Sequence, residues 1–234
     1  MTRPNKRWVI LGALLSGLVI ATLAFSGFVT ATMTFLSHIQ DQSLPRNHIG
    51  PWVLGTPNAR WTITEFADLE CPYCKTYTPN LKSWVLQQKD VNLQWHNVPL
   101  GFHGSAAVHE ARRAECAGKL GGSGAFWQAV DQTFERTRSN GQGFTGHLDV
   151  AGIDSSELES CSVNDLQVAL HIDQQTREAA SLGVEATPSL VIRDNTTGKS
   201  VKLEGPADGV TLLSAIDWLA NSSGGSTVES THSK

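Results

Sequence analysis

One stretch predicts both the fold and the chemistry of this chain: Glu65-Phe66-Ala67-Asp68-Leu69-Glu70-Cys71-Pro72-Tyr73-Cys74. An apolar, alternating run at residues 61–66 leads into it and predicts a strand. Residues 75–88 predict a helix. Cys71 is therefore expected at a strand-to-helix turn. Free backbone N–H groups and the helix dipole stabilise a thiolate at such a turn, which lowers the pKa of the cysteine and makes it a nucleophile.

The two cysteines of this stretch are expected to differ in role. Cys71 occupies the first position at the start of the helix, and Cys74 lies one turn further in. Pro72 suits the first turn, because its missing N–H has no helical partner there and its φ is already helical. Thiol–disulfide exchange needs this asymmetry, with Cys71 attacking and Cys74 resolving the mixed disulfide.

A second stretch, at residues 183–192, supports a redox role. It places Thr187 and Pro188 directly before an apolar, β-branched run that predicts another strand. The order of strand, Cys-Pro-Tyr-Cys, helix, long helical segment and Thr-Pro before a strand resembles the DsbA-like branch of the thioredoxin superfamily. The resemblance covers about residues 52–220. It implies an α/β thioredoxin fold with an inserted helical subdomain. One N-terminal transmembrane helix is predicted before this domain, from the apolar run described below.

The resemblance also implies roles for individual residues. The family's proline is cis and lies against the two cysteines, so Thr187 and Pro188 would flank the active site, with the Thr187 backbone free to pair with a substrate peptide. The family's buried carboxylate, six residues before the first cysteine, corresponds to Glu65, which would exchange protons with Cys74. Pro72 and Tyr73 occupy the dipeptide that tunes the redox potential in this family.

A zinc or copper site is the main alternative use of Cys71 and Cys74. A zinc site needs a second pair of cysteine or histidine ligands at short spacing. The remaining cysteines, Cys116 and Cys161, are distant from each other and from the motif. Together with Glu65 and the Thr-Pro segment, this favours redox chemistry over metal binding, and we expect neither a metal nor another cofactor.

Cys116 and Cys161 are expected in two helices of the insertion, where a structural disulfide is the favoured interpretation. Closing a loop of about 45 residues stabilises a fold by roughly 4 kcal/mol in the chain-entropy model. Two buried free thiols, or a second redox pair that relays electrons to the Cys71–Cys74 pair, are the alternatives.

The N-terminus predicts a membrane anchor. Three basic residues within the first seven positions precede a run from Trp8 to Leu36 that contains no charged residue. At 1.5 Å per residue, even residues 9–29 span a hydrocarbon core of about 30 Å. The basic residues predict a cytoplasmic N-terminus and an exported remainder. A cleaved signal peptide is the alternative, but its apolar region is normally only about 7–15 residues long.

The predicted organisation has four parts. Residues 1–36 form the cytoplasmic tail and the anchor, and residues 37–50 form a polar linker. Residues 51–221 form the thioredoxin-like domain, in which residues 104–182 are the helical insertion. Residues 222–234 are rich in Ser, Gly and Thr and are predicted to be disordered.

Charge excludes one class of partner. The formal net charge is −4, and the predicted exported part, which lacks three basic residues of the N-terminal tail, carries −7. No basic patch indicates nucleic-acid binding. Asp68 and Glu70 lie just before Cys71, where their negative charge opposes a thiolate, and we expect them to form an exposed, solvated rim.

The sequence therefore predicts an extracytoplasmic thiol:disulfide oxidoreductase of the inner or plasma membrane, single-pass, with its catalytic domain on the periplasmic or extracellular side. Cys71 accepts the thiolate of a cysteine-containing client protein. The resemblance to the DsbA-like proteins implies that a membrane redox partner, a quinone-linked oxidase or an electron donor, restores the pair. A dithiol oxidase is favoured. The alternatives are a disulfide isomerase or reductase kept reduced by a membrane donor and, in a different class, a tethered metal- or peptide-binding module.

Overall fold

A computed structural model describes residues 49–222 of the chain. The predicted anchor, most of the predicted linker and all but the first residue of the predicted disordered tail lie outside these residues. Within residues 49–222, no helix is both long enough and apolar enough to cross a membrane.

The described residues form five strands and five helices. In chain order they are β1 (Val53–Gly55), β2 (Trp61–Ala67), α1 (Pro72–Leu86), β3 (Val91–Asn97), α2 (Gly104–Arg136), α3 (Ser155–Asn164), α4 (Leu166–Ser181), β4 (Ser189–Asp194), β5 (Ser200–Glu204) and α5 (Gly209–Asn221). A short 3₁₀ turn at Gly101–His103 joins β3 to α2. The α/β thioredoxin fold with a helical insertion is confirmed.

The strands form one sheet in the order β1-β3-β2-β4-β5. β2 pairs parallel with β3 and antiparallel with β4, while β1 and β5 pair antiparallel at the edges. β2 is therefore the central strand. Six of its seven residues are buried, because other elements cover both of its faces. The chain leaves this strand directly into the Cys-Pro-Tyr-Cys turn, so the most constrained strand of the sheet positions the reactive cysteines.

The register of the sheet brings the two sequence motifs together. Glu65 in β2 lies opposite Leu190 in β4 and Trp95 in β3, and Phe66 lies opposite Ser189. Because Ser189 directly follows Pro188, this pairing places the Thr-Pro segment at the end of β2 from which the chain turns toward Cys71.

The glycines at positions 121 and 122 predict a break between two helices, at residues 105–120 and 125–138. α2 spans both segments, but Gly122 is not helical, with φ 77° and ψ −170°, so two helical segments meet there at a sharp kink, as predicted. A positive φ costs glycine little, which allows the break at this position. In the structure, Cys116 of α2 and Cys161 of α3 form a disulfide.

Candidate active site

Cys71 is the N-cap residue of α1, and Pro72 follows at the first helical position. Cys71 is 4% exposed, Cys74 is fully buried, and both thiols are free. The backbone N–H of Cys71 donates to the Asp68 carbonyl at 3.0 Å, which closes the turn between β2 and α1. The geometry presents one sulfur at the helix end and holds the other behind it.

The Cys71 thiol is acidic for a cysteine. Its pKa falls from 9.0 to about 6, because the Cys74 thiol donates a hydrogen bond to it, the Thr187 side chain donates another, and backbone N–H groups at the helix start add two more. These effects outweigh burial, which raises the pKa. At pH 7 a thiol with this pKa is about nine-tenths ionised.

Cys74 has the opposite character. Burial, its hydrogen bond to Cys71 and the negative charge of Glu65 raise its pKa well above 9.0. Cys74 therefore holds its proton at neutral pH, while Cys71 loses one. Two thiols of one short motif thus differ strongly in proton affinity, and the difference comes from the opposite effects of their shared hydrogen bond and from their different burial.

Glu65 lies fully buried in β2 on the side of the sheet that α1 covers. Burial raises its pKa from 4.5 to about 8, although a hydrogen bond from Thr78 and the charge of Lys82 act in the opposite direction. The Thr78 hydroxyl donates to Glu65 Oε1 at 2.7 Å. Glu65 Oε2 has no hydrogen-bond partner among the described residues. A carboxyl group with this pKa can both give and take a proton near neutral pH.

Thr187 and Pro188 lie beside Cys71. The Thr187–Pro188 peptide bond is cis, and the Cys71 thiol donates to the Thr187 carbonyl at 3.4 Å. The Thr187 hydroxyl is buried and makes no hydrogen bond within the described part of the chain while Cys71 is a thiol. A thiolate accepts hydrogen bonds but cannot donate them, so ionisation of Cys71 breaks its hydrogen bond to the Thr187 carbonyl. The hydrogen bond from Cys74 is the largest effect that lowers the Cys71 pKa, and a side-chain hydrogen bond from Thr187 lowers it further.

The dipeptide between the cysteines faces two environments. Pro72 is half-buried in the first turn, whereas the Tyr73 side chain is 72% exposed. The backbone N–H of Tyr73 contributes to the low pKa of Cys71. The aromatic ring of Tyr73 is thus free to contact another molecule that approaches the cysteines.

The prediction that Asp68 is exposed is wrong. Asp68 is 2% exposed, and its carboxylate accepts hydrogen bonds from the backbone N–H groups of Glu70 and Leu100, both at 2.7 Å. Its Oδ2 also lies 2.8 Å from Nδ1 of the buried His103. The carboxylate is buried because these donors replace water around it. Asp68 fastens the active-site turn to the segment that joins β3 to the insertion.

Glu70 is also buried rather than exposed. It is fully inaccessible, accepts from the Thr137 hydroxyl, and accepts from the Gly143 backbone N–H at 2.9 Å. Its own carbonyl accepts from Asn140 N–H at 2.8 Å. The loop after α2 therefore closes over the residue before Cys71, so the insertion helps to hold the turn.

Sequence reasoning missed Thr78, Lys82 and His103 as parts of the site. The hydrogen bond that the Glu70 N–H donates to the Asp68 carboxylate joins residues two apart, a local pattern typical of aspartate in turns. That signal was available in the sequence. The partners of Thr78 and His103 lie 13 and 35 residues away, and only the fold brings them together.

The residues needed for thiol–disulfide exchange are thus in one place: an acidic thiol, a protonated thiol behind it, and a buried carboxyl group near neutral pKa. Cys116 and Cys161 belong to a separate pair within the insertion. Across residues 49–222, no group of three or more His, Cys, Asp and Glu side chains is arranged to hold a metal ion.

Comparison with known proteins identifies the family. A family model described as thioredoxin matches residues 47–208. The chain is similar to the crystal structure of Pseudomonas aeruginosa DsbA2, with 51% sequence identity and a TM-score of 0.71, over 77% of this chain and 98% of that chain. The chain belongs to the DsbA-like branch of the thioredoxin superfamily. It thus joins a group of thiol:disulfide oxidoreductases.

Curated relatives extend this comparison. Disulfide bond formation protein D of Bacillus subtilis is 25% identical over 156 residues, which are 62% of this chain and 68% of that protein. Na(+)/H(+) antiporter NhaA 1 of Mycolicibacterium gilvum is 26% identical over 168 residues, which are 70% of this chain. The chain spans only 26% of the length of that antiporter.

Proposed function

We propose that this protein is an extracytoplasmic dithiol oxidase, which passes the Cys71–Cys74 disulfide to cysteine pairs of client proteins. The observation that carries the proposal is the asymmetry between the two thiols. Cys71, with a pKa of about 6, is a good leaving group. A stabilised thiolate also favours the reduced form of the pair, which makes its disulfide a stronger oxidant.

The exchange proceeds in two steps. A client thiolate attacks Cys71 Sγ, the Cys71–Cys74 bond breaks, and Cys74 leaves as a thiolate that takes the proton of Glu65. The client's second thiolate then attacks the client sulfur of the mixed disulfide, and Cys71 leaves as a thiolate. The client loses two electrons, and the Cys71–Cys74 pair gains them.

This sequence of steps corrects one expectation about Cys74. Attack by Cys74 on the mixed disulfide returns the client in its reduced form. If the client is to leave oxidised, the second attack must come from the client itself. Cys74 therefore resolves mixed disulfides only when the reaction runs backwards or when an encounter with a client is abandoned.

The remaining parts of the proposal concern location and partners. The charge pattern of residues 1–36 supports a single-pass anchor with the redox domain outside the cytoplasm. Clients are proteins with reduced cysteine pairs, and a quinone-linked oxidase in the same membrane takes the two electrons from the reduced pair. Accessibility of the domain to an added protease in intact spheroplasts tests the location.

The activity is tested with a peptide that carries two cysteines. The oxidised full-length protein is expected to oxidise it stoichiometrically, with Cys71 and Cys74 becoming reduced together. Cys71→Ser abolishes the exchange, whereas Cys74→Ser, first charged with a small thiol at Cys71, passes on one mixed disulfide only. Exchange that survives in Cys71→Ser contradicts the proposal. Bound zinc or copper in elemental analysis supports a metal-binding module instead.

A further inference from the structure

Lys82 brings a nearly buried positive charge to the side of α1 that contacts Glu65. Thr78 donates to Glu65 Oε1 at 2.7 Å, and Lys82 follows Thr78 by four residues. Residues four apart lie on the same face of a helix. The Lys82 side chain is only 12% exposed. A lysine this well covered on the active-site helix requires partners that fix its ammonium group.

Those partners come from the inserted helix α2. The Lys82 ammonium forms an ion pair with Asp131, and it lies 5.1 Å from the centre of the Trp127 ring. A cation at this distance is attracted by the face of an indole. Asp131 and Trp127 both belong to α2. The insertion, rather than the thioredoxin core, therefore determines where this charge is held.

The sheet connects this ammonium group to Glu65. Trp127 packs edge-to-face on Trp95, with ring centres 6.1 Å apart, and Trp95 is the register partner of Glu65 across β2 and β3. Thr78 on the same face of α1 and the Trp127–Trp95 pair thus link the position of Lys82 to that of Glu65. Consistent with this position, the charge of Lys82 lowers the pKa of Glu65 against the larger effect of burial.

The other groups around Glu65 do not supply a positive charge. Besides Lys82, the titratable groups that interact electrostatically with Glu65 are Cys71, Cys74 and Tyr77. The neighbouring strands place uncharged Trp95 and Leu190 beside it. Among the residues that the structure describes, Lys82 is the cation whose charge acts on this carboxyl group.

We propose that Lys82, held by Asp131 of the inserted helix, is a positioning residue that controls proton transfer between Glu65 and Cys74. The inference rests on the proposed function, in which Glu65 protonates the leaving Cys74. In that step the O–H bond of Glu65 breaks, the proton goes to Cys74 Sγ, and a carboxylate remains in the core. The Lys82 ammonium stabilises that carboxylate, and Asp131 offsets part of the ammonium charge.

The test is a titration of the Glu65 carboxyl carbon by NMR in the oxidised full-length protein, in which neither active-site sulfur titrates. Glu65→Gln identifies the signal. Lys82→Met is expected to raise the midpoint by roughly half a pH unit or more, and Lys82→Arg is expected to leave it near the wild-type value. Asp131→Asn is expected to lower the midpoint by a smaller amount, because the Lys82 ammonium then lacks the carboxylate that offsets part of its charge.

Opposite shifts from the two members of one ion pair separate an electrostatic role from lost packing. An unchanged midpoint in Lys82→Met, or shifts of the same sign in Lys82→Met and Asp131→Asn, overturns the proposal. If Lys82→Met does not fold, Asp131→Asn decides alone, since Asp131 is half exposed. Lys89→Met, at an exposed position near the end of α1, is the control and should leave the midpoint unchanged. The titration involves no client, so its failure and the failure of the exchange assay are independent results.

Discussion

The acidity of Cys71 depends chiefly on Cys74, and this dependence can be tested by removing the second thiol. The hydrogen bond from Cys74 is the largest of the effects that lower the Cys71 pKa. Cys74→Ala removes this donor but keeps the helix N-terminus and Thr187. Cys74→Ser is the matched control, because a hydroxyl group of similar size still donates to the Cys71 sulfur.

The size of the effect follows from the pKa values. The Cys71 pKa falls from 9.0 to about 6, which corresponds to roughly 4 kcal/mol of preference for the thiolate. Several donors share this preference, so loss of the largest is expected to raise the pKa by about one unit or more. Cys71 would then be at most about half ionised at pH 7, compared with about nine-tenths in the native dithiol.

The assay is the pH dependence of Cys71 alkylation by iodoacetamide, with Cys71 followed by peptide mass spectrometry. The midpoint is the quantity to compare, because a less acidic thiolate is also intrinsically more reactive and rates at one pH mix the two effects. We expect a midpoint near pH 6 for the native dithiol, near pH 7 or above for Cys74→Ala, and between the two for Cys74→Ser. Equal midpoints for the native protein and Cys74→Ala would refute the reasoning, since the helix end and Thr187 would then suffice.

Three further predictions concern stability, measured by urea unfolding of the oxidised protein. Glu65 keeps its proton up to about pH 8 in the folded protein but loses it near pH 4.5 in the unfolded chain. The free energy of unfolding of the native protein should therefore fall between pH 5 and 8, by up to roughly 4 kcal/mol more than that of Glu65→Gln. A difference between the two proteins that stays constant with pH contradicts this. Asp68→Ala leaves buried donors without an acceptor and should lower the free energy of unfolding by about 3 kcal/mol. Asp173→Ala, at an exposed position, should change it by less than about 0.5 kcal/mol. Equal losses in the two variants argue against a role of Asp68 in holding the turn. Replacing both Cys116 and Cys161 by alanine opens a crosslink over 45 residues and should cost up to roughly 4 kcal/mol in the chain-entropy model; an unchanged midpoint means that the disulfide does not restrict the unfolded chain.

Local patterns in the sequence were enough to predict the centre of this fold. The alternation before Cys71, the cysteine spacing and the Thr-Pro before an apolar run are short-range signals, and together they identify the sheet centre and the family. The break between two helical segments near residues 121–122 is another local signal, because glycine is the residue that tolerates the non-helical φ and ψ found at Gly122.

The parts of the site that could not be predicted depend on distant contacts. A charged residue in an isolated sequence is rightly expected at the surface. Asp68 and Glu70 are buried because backbone donors and the side chains of His103 and Thr137 reach them from other elements. No spacing rule connects such pairs. The same holds for Lys82, whose role depends on an insertion that lies about 50 residues further along the chain.

The redox state of Cys71 and Cys74 in growing cells tests the central claim most directly. Cells are quenched in acid, free thiols are alkylated, and peptide mass spectrometry separates this pair from Cys116 and Cys161 in the full-length protein. A dithiol oxidase supplied with an electron acceptor predicts that Cys71 and Cys74 are mostly joined as a disulfide. A mostly reduced pair contradicts the oxidase account and indicates an isomerase or a reductase that a membrane donor keeps reduced.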